Sequence, residues 1–183
     1  MAKNNNSLKS LLTIIVFAAV IVGLVRHYHI KNFKTIVPGV LYTSGQPRGM
    51  DYTRLLYKYH IGTFVNLRQS DEHREENWYH EEISWKDDSG VNYIEIPINK
   101  QDTDKFLNDN ASREKFNMIM GDKSNWPVLI HGNNGTKRPA ILAAHWLIQL
   151  NGYSVDQAIA TAEEIREAPL SDREKDLIKS FAD

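Results

Sequence analysis

The stretch Val128-Leu129-Ile130-His131-Gly132-Asn133-Asn134-Gly135-Thr136-Lys137-Arg138-Pro139 decides the reading of the fold. Its apolar opening, Pro127 to Ile130, predicts a short buried strand. Pro139 opens a helix that runs to Leu150, with Asn151-Gly152 as its stop. A strand, a loop with two glycines and a helix N-terminus can together grip an anion, because successive backbone N–H groups curl inward and the helix dipole adds partial positive charge. Gly135 accepts the unusual backbone angles such a loop needs, and Asn133 and Asn134 tolerate them. Arg138, at the far lip, can clamp two phosphate oxygens with its planar fork. Spacing alone fits an ordinary strand-to-helix turn equally well, since glycine and asparagine are common there too.

Working outward, short apolar strands alternate with helical patterns. Strands are expected at Phe33–Val37, Val40–Tyr42, Thr63–Leu67 and Asn92–Ile98, with turns at Pro38-Gly39 and Ser44–Pro47. Helical spacing marks Asp51–Tyr59 and Asp104–Met120, and the charged run Asp71–Asp88 holds a further helix around Trp78, Ile83 and Trp85. Ser154 with Gln157, and Ser171 with Glu174, are capping boxes that open two more helices. The pattern predicts an α/β domain over residues 31–183, with a mainly parallel central sheet flanked by helices.

The segment His131–Arg138 resembles the signature loop of the cysteine-dependent protein-tyrosine and dual-specificity phosphatases, His-Cys-x-x-Gly-x-x-Arg followed by Ser or Thr. It matches at His131, Gly135 and Arg138. Leu41–Pro47 resembles the entry segment of bacterial members, Val65–Arg68 their strand end, Gly90–Pro97 the strand before the acid-bearing loop, and Gly152–Ile159 the helix opening after the signature. The likeness runs in order from Phe33 to about Arg166 and implies a phosphotyrosine-phosphatase-like fold. It also implies a phosphate-binding role for Gly132, Asn133, Asn134, Gly135, Thr136, Lys137 and Arg138. His131 takes the family's loop-ordering place.

Two departures bear on chemistry. Gly132 holds the position of the family's nucleophile, whose low-pKa thiolate attacks phosphorus, and glycine removes that step. Pro139 holds the position of the hydroxyl that assists the thiolate as leaving group. The family's general acid lies some thirty residues before the signature, where Asp102 is the vestigial candidate and neighbouring Asp104 reads better as a helix cap.

The rest of the composition sets limits. The 183 residues are 42% hydrophobic and 25% charged, enough for one globular domain with a short appendage. The net charge of -1, with no basic patch interleaved with aromatics, argues against nucleic acid. There are no cysteines, which excludes disulfides and thiol catalysis, and the histidines lack metal-site spacing. No metal or cofactor is expected.

After a tail of residues 1–10, Leu11–Val25 is an almost wholly apolar run. With Arg26, His27 and Tyr28 counted as interfacial flanks, residues 11–28 read as a transmembrane anchor in a bacterial inner membrane. The rival, a cleaved signal peptide, lacks a small-x-small site near Gly23. Neither membrane face is favoured for the soluble domain. The combined expectation is a membrane-anchored pseudophosphatase that binds phosphate, a phosphorylated protein or a phosphorylated small molecule without efficient hydrolysis. Two alternatives stand beside it: a phosphoric-monoester hydrolase working without cysteine, and an interaction scaffold whose loop is idle.

Overall fold

A computed structural model describes residues 4–72, 75–99 and 110–182. The expected acid positions, Asp102 and Asp104, and the start of the helix predicted from Asp104 lie outside these residues. The chain divides into two compact units, Met1–Ile30 and Lys31–Asp183.

The first unit is built on one helix, α1 (Asn4–Tyr28). Among the described residues, no helix is long and apolar enough to cross a membrane. The transmembrane reading of residues 11–28 therefore fails, and with it the inner-membrane location. The physical reason is length. The fifteen residues Leu11–Val25 rise only ~23 Å as a helix, against a hydrocarbon core of ~30 Å. The helix reaches its full span only by adding the polar Asn4–Ser10 turn and Arg26-His27.

The second unit is a five-stranded mixed sheet in the order β1-β2-β5-β3-β4, formed by β1 (Lys34–Val37), β2 (Leu41–Ser44), β3 (Thr63–Asn66), β4 (Asn92–Glu95) and β5 (Val128–His131). Only the β1–β2 edge pair is antiparallel. Every residue of β2, β3 and β5 is buried, as expected for strands covered on both faces. Among the described residues, the helices of this unit are α2 (Met50–Tyr57), α3 (Asn77–Ser89), α4 (Asn110–Gly121), α5 (Arg138–Asn151), α6 (Val155–Arg166) and α7 (Asp172–Lys179). Helix α5 is buried from Arg138 through Leu147 and ends on Gly152, whose φ of 69° is the left-handed cap that glycine supplies. Both capping boxes form, at Ser154 and at Ser171.

The register positions the site. Ser44 of β2, His131 of β5, Asn66 of β3 and Glu95 of β4 are paired in one row at the carboxyl ends of the parallel strands. The loops leaving that row are 45–49, 132–137, 67–69 and 96–99. In open α/β sheets this edge is where ligands bind.

Candidate anion site

The loop after β5 is held from its outer side. The carbonyl of Asn133 accepts from Gln46 N–H and from Lys31 Nζ, both at 3.2 Å. The carbonyl of Asn134 accepts from Asn32 Nδ2 at 2.8 Å, and its side-chain oxygen from Lys31 Nζ at 2.7 Å. In a trans peptide the N–H points opposite to the C=O. The N–H groups of Asn134 and Gly135 are therefore turned away from Lys31 and Gln46, toward the other face of the loop. Gly132 N–H instead bonds Ser44 O at 3.4 Å. A cavity of about 150 Å³ is lined by Glu72 and residues 132–139.

Two glycines permit this packing. Gly135 has a φ of +77°, and a Cβ on it would lie 2.3 Å from Gly45 N and Ser44 C. A Cβ on Gly45 would lie 2.8 Å from Lys31 Cδ. The Lys31 stem, Gly45 and Gly135 thus stack with no room for side chains between them. The Lys31 ammonium pays for its place: partial burial, then the charges of Arg48 and Arg68, hold its pKa below the ordinary lysine value.

Arg138 sits at the first position of α5 and is buried. Its Nη1 donates to Leu67 O at 3.0 Å, Ile98 O at 2.9 Å and Glu72 Oε1 at 2.6 Å, and its Nη2 to Glu72 Oε2 at 3.1 Å. One edge of the guanidinium is thereby braced. The opposite edge, Nε and Nη2, faces Gly132: a Cβ there would stand 3.7 Å from Nε and 4.0 Å from Nη2. Among the described residues Nε–H makes no hydrogen bond, so this edge retains the two-donor geometry that suits a phosphate or carboxylate. Burial works to raise the Glu72 pKa. The hydrogen bonds from Arg138 and Gln69 and the charges of Arg138 and Arg68 prevail and hold it below the usual carboxylate value.

Beneath the loop lies a buried polar cluster centred on Glu82 of α3, which is 0% exposed. Its Oε1 stands 3.3 Å from His131 Nε2, and its Oε2 accepts from Gln46 Nε2 and, at 3.2 Å, from Tyr52 OH. Tyr93 OH also bonds this carboxylate and receives Asn66 Nδ2 at 2.8 Å. Burial would raise the Glu82 pKa, but the nearby His131 ring and the hydrogen bonds from Tyr93 and Gln46 hold it down. Burial and the Glu82 charge push both the Tyr52 and Tyr93 phenols up.

The residues singled out from sequence are distributed unevenly. Gly132, Asn133, Asn134, Gly135, Thr136, Lys137 and Arg138 all line the cavity. The Lys137 ammonium extends toward Glu174 of α7, at 3.9 Å. His131 directs its ring into the sheet edge against Glu82 and not onto the loop. Sequence reasoning missed Lys31, Asn32, Gln46, Glu72 and Glu82. A signal existed for Glu82: Trp78, Glu82 and Trp85 are spaced i, i+4, i+7, which puts the carboxylate on the same helix face as two indoles.

Comparison with known proteins agrees with this geometry. The sequence model described as "Tyrosine phosphatase family" matches residues 28–161. Among solved structures, the core catalytic domain of the PP-IP phosphatase SIW14 from S. cerevisiae, in complex with citrate, aligns with a TM-score of 0.67 at 18% identity, covering 82% of this chain and 85% of that one. P. aeruginosa TpbA in complex with pTyr aligns with a TM-score of 0.59 at 18% identity, covering 82% and 88%. A phosphatase-like protein from Neisseria meningitidis gives 0.58 at 20% identity, covering 83% and 96%. At such identities the likeness concerns the fold.

Proposed function

Because this chain belongs to the tyrosine phosphatase family, we propose that it is a pseudophosphatase, whose Gly132–Arg138 loop binds a phosphoryl group without efficient hydrolysis. The observation that carries this reading is the free edge of Arg138. Leu67 O, Ile98 O and Glu72 brace one side of the guanidinium, and Nε and Nη2 are left facing residue 132. A phosphate there would take two parallel charge-assisted hydrogen bonds, while the N–H groups of Asn134 and Gly135 and the start of α5 add partial positive charge.

Gly132 offers no attacking atom, and the chain has no cysteine to supply one from elsewhere. Pro139, next to Arg138, offers no hydroxyl to a leaving group. Binding would thus persist while the covalent step is lost. The ligand class follows from the likeness: the yeast relative is a PP-IP phosphatase and the P. aeruginosa relative was captured with pTyr, so a phosphorylated protein or small molecule is the ligand this site would take.

Calorimetric titration with a phosphotyrosine peptide tests the proposal. The wild type should bind, and Arg138→Ala should weaken binding by roughly 2 kcal/mol or more, the scale of a charge-assisted pair. Small aryl phosphates should not turn over. Affinity unchanged by Arg138→Ala would refute the reading, and turnover by the wild type would favour the alternative of water attack on a held phosphate.

A further inference from the structure

We infer that Glu82 is a positioning residue of the anion site, setting the shape of a loop it never touches; the inference rests on the phosphoryl-binding reading above. Three observations converge on it.

The first is its choice of partners. Glu82 lies on α3, yet its contacts come from four other elements: Gln46 after β2, Tyr52 on α2, Tyr93 on β4 and His131 at the end of β5. Two of these flank the loop. His131 precedes Gly132 in the chain. Gln46 clamps the loop from the side, its main-chain N–H bonding Asn133 O at 3.2 Å. One carboxylate therefore fixes both the loop's entry and its outer wall.

The second is continuity with the arginine. Gln46 Oε1 accepts from Arg68 Nη1 at 3.4 Å, Arg68 Nη2 donates to Glu72 O at 2.8 Å, and the Glu72 carboxylate braces Arg138. A continuous path runs from Glu82 through Gln46, Arg68 and Glu72 to the guanidinium. Arg68 is itself seated on the Trp78 ring, 3.8 Å from its centroid, one helical turn from Glu82.

The third is chemistry. A fully buried carboxylate is expensive in a fold, and an apolar residue would fill the same space at lower cost. What only a carboxylate supplies is two acceptor oxygens facing opposite ways. Oε1 serves the His131 side and Oε2 the Gln46 and Tyr52 side. Glu82→Gln removes the negative charge and gives one flank a donor in place of an acceptor, which weakens the hold on the entry or the wall.

The experiment compares the wild type with Glu82→Gln, Gln46→Met and Ile165→Ala. The last is a core truncation in α6 at a residue outside the loop and the Glu82 cluster, and it sets the baseline for lost stability. Two quantities are read well below the melting temperature: inorganic phosphate affinity by calorimetry, and amide exchange at Gln46 and Gly132 in ligand-free protein. The N–H groups of these two residues bond Asn133 O and Ser44 O, so they report loop order without any ligand. Glu82→Gln and Gln46→Met should each weaken phosphate at least tenfold and speed exchange at these amides at least tenfold. Ile165→Ala should move neither by more than twofold, even with an equal fall in melting temperature. Exchange in Glu82→Gln within twofold of wild type overturns the inference, as does an equal response in Ile165→Ala. If the wild type fails to bind phosphate, the phosphoryl-binding reading falls, and the exchange comparison alone decides whether Glu82 orders the loop. Gln46→Met carries the same test should Glu82→Gln not fold.

Discussion

Mild acid should weaken this fold through one residue far from the loop. His145 lies on α5, 4% exposed, its ring packed edge-on against Phe181 at 5.0 Å between centroids. Burial, and then the charge of Arg113 on α4, lower its pKa from 6.5 to about 4. Glu114 on α4 lines the same cavity as Arg113 and His145. Between those two pH values the unfolded chain carries a proton on this histidine and the folded chain does not. The unfolded state thus binds more protons, and stability rises with pH across the window. The contribution is complete above about pH 6.5 and is lost as pH falls toward 4. At about 1.4 kcal/mol per pH unit, it amounts to roughly 3 kcal/mol. The perturbation is His145→Leu, which removes the titrating group and keeps similar bulk. Urea unfolding at pH 7.5, 6, 5 and 4.5 should show the wild type losing stability steadily and the variant staying nearly level. The paired carboxylates leave this window clear: half-buried Glu72 and buried Glu82 and Glu174 have lowered pKa values, so their stabilisation fades only as pH falls below the ordinary glutamate range. Parallel wild-type and His145→Leu profiles would refute the reasoning.

Three other substitutions separate space from strain and test the Lys31 contacts to the loop. Gly135→Ala should cost about 3 kcal/mol or more in thermal unfolding, because its Cβ would strike the Ser44 and Gly45 backbone and its φ is positive, whereas Gly132→Ala should stay within about 1 kcal/mol because its nearest new contact is at 3.7 Å. Lys31→Met should cost about 1 kcal/mol or less, since its two bonds to the loop are exposed, but should weaken phosphotyrosine-peptide binding measurably in calorimetry.

What could be read from the sequence was local. The Val128–Pro139 strand, loop and helix, the Ser154 and Ser171 capping boxes and the Gly152 stop each depend on residues adjacent in the chain, and each forms as expected. The partners of the loop were not legible, because they arrive from other elements. Gln46 is marked in the sequence only by the Ser44–Pro47 turn and the Leu41–Pro47 likeness, neither of which gives it a partner. Glu72 and Glu82 sit inside a charged run, where Glu82 is marked only by the Trp78 and Trp85 spacing and Glu72 by nothing local. The burial of Glu82 follows from the Trp78 and Trp85 face of α3. The N-terminal apolar run failed for a different reason: interfacial flanking residues were credited with membrane length that fifteen apolar positions do not have. The sheet is mainly parallel as expected, with the β1–β2 hairpin across Pro38-Gly39 its antiparallel edge pair.

The most direct test of the whole account is to return a nucleophile to the loop. A Cβ at residue 132 meets Arg138 Nε at 3.7 Å and Pro139 Cδ at 3.8 Å, ordinary contacts that leave room for a thiol beside the guanidinium. Gly132→Cys, alone and with Pro139→Thr, should form a phosphocysteine detectable by mass spectrometry and should release the phenol from small aryl phosphates, where the wild type releases none. A folded Gly132→Cys protein that takes up no phosphoryl group, or a wild type that already turns these substrates over, would contradict the account.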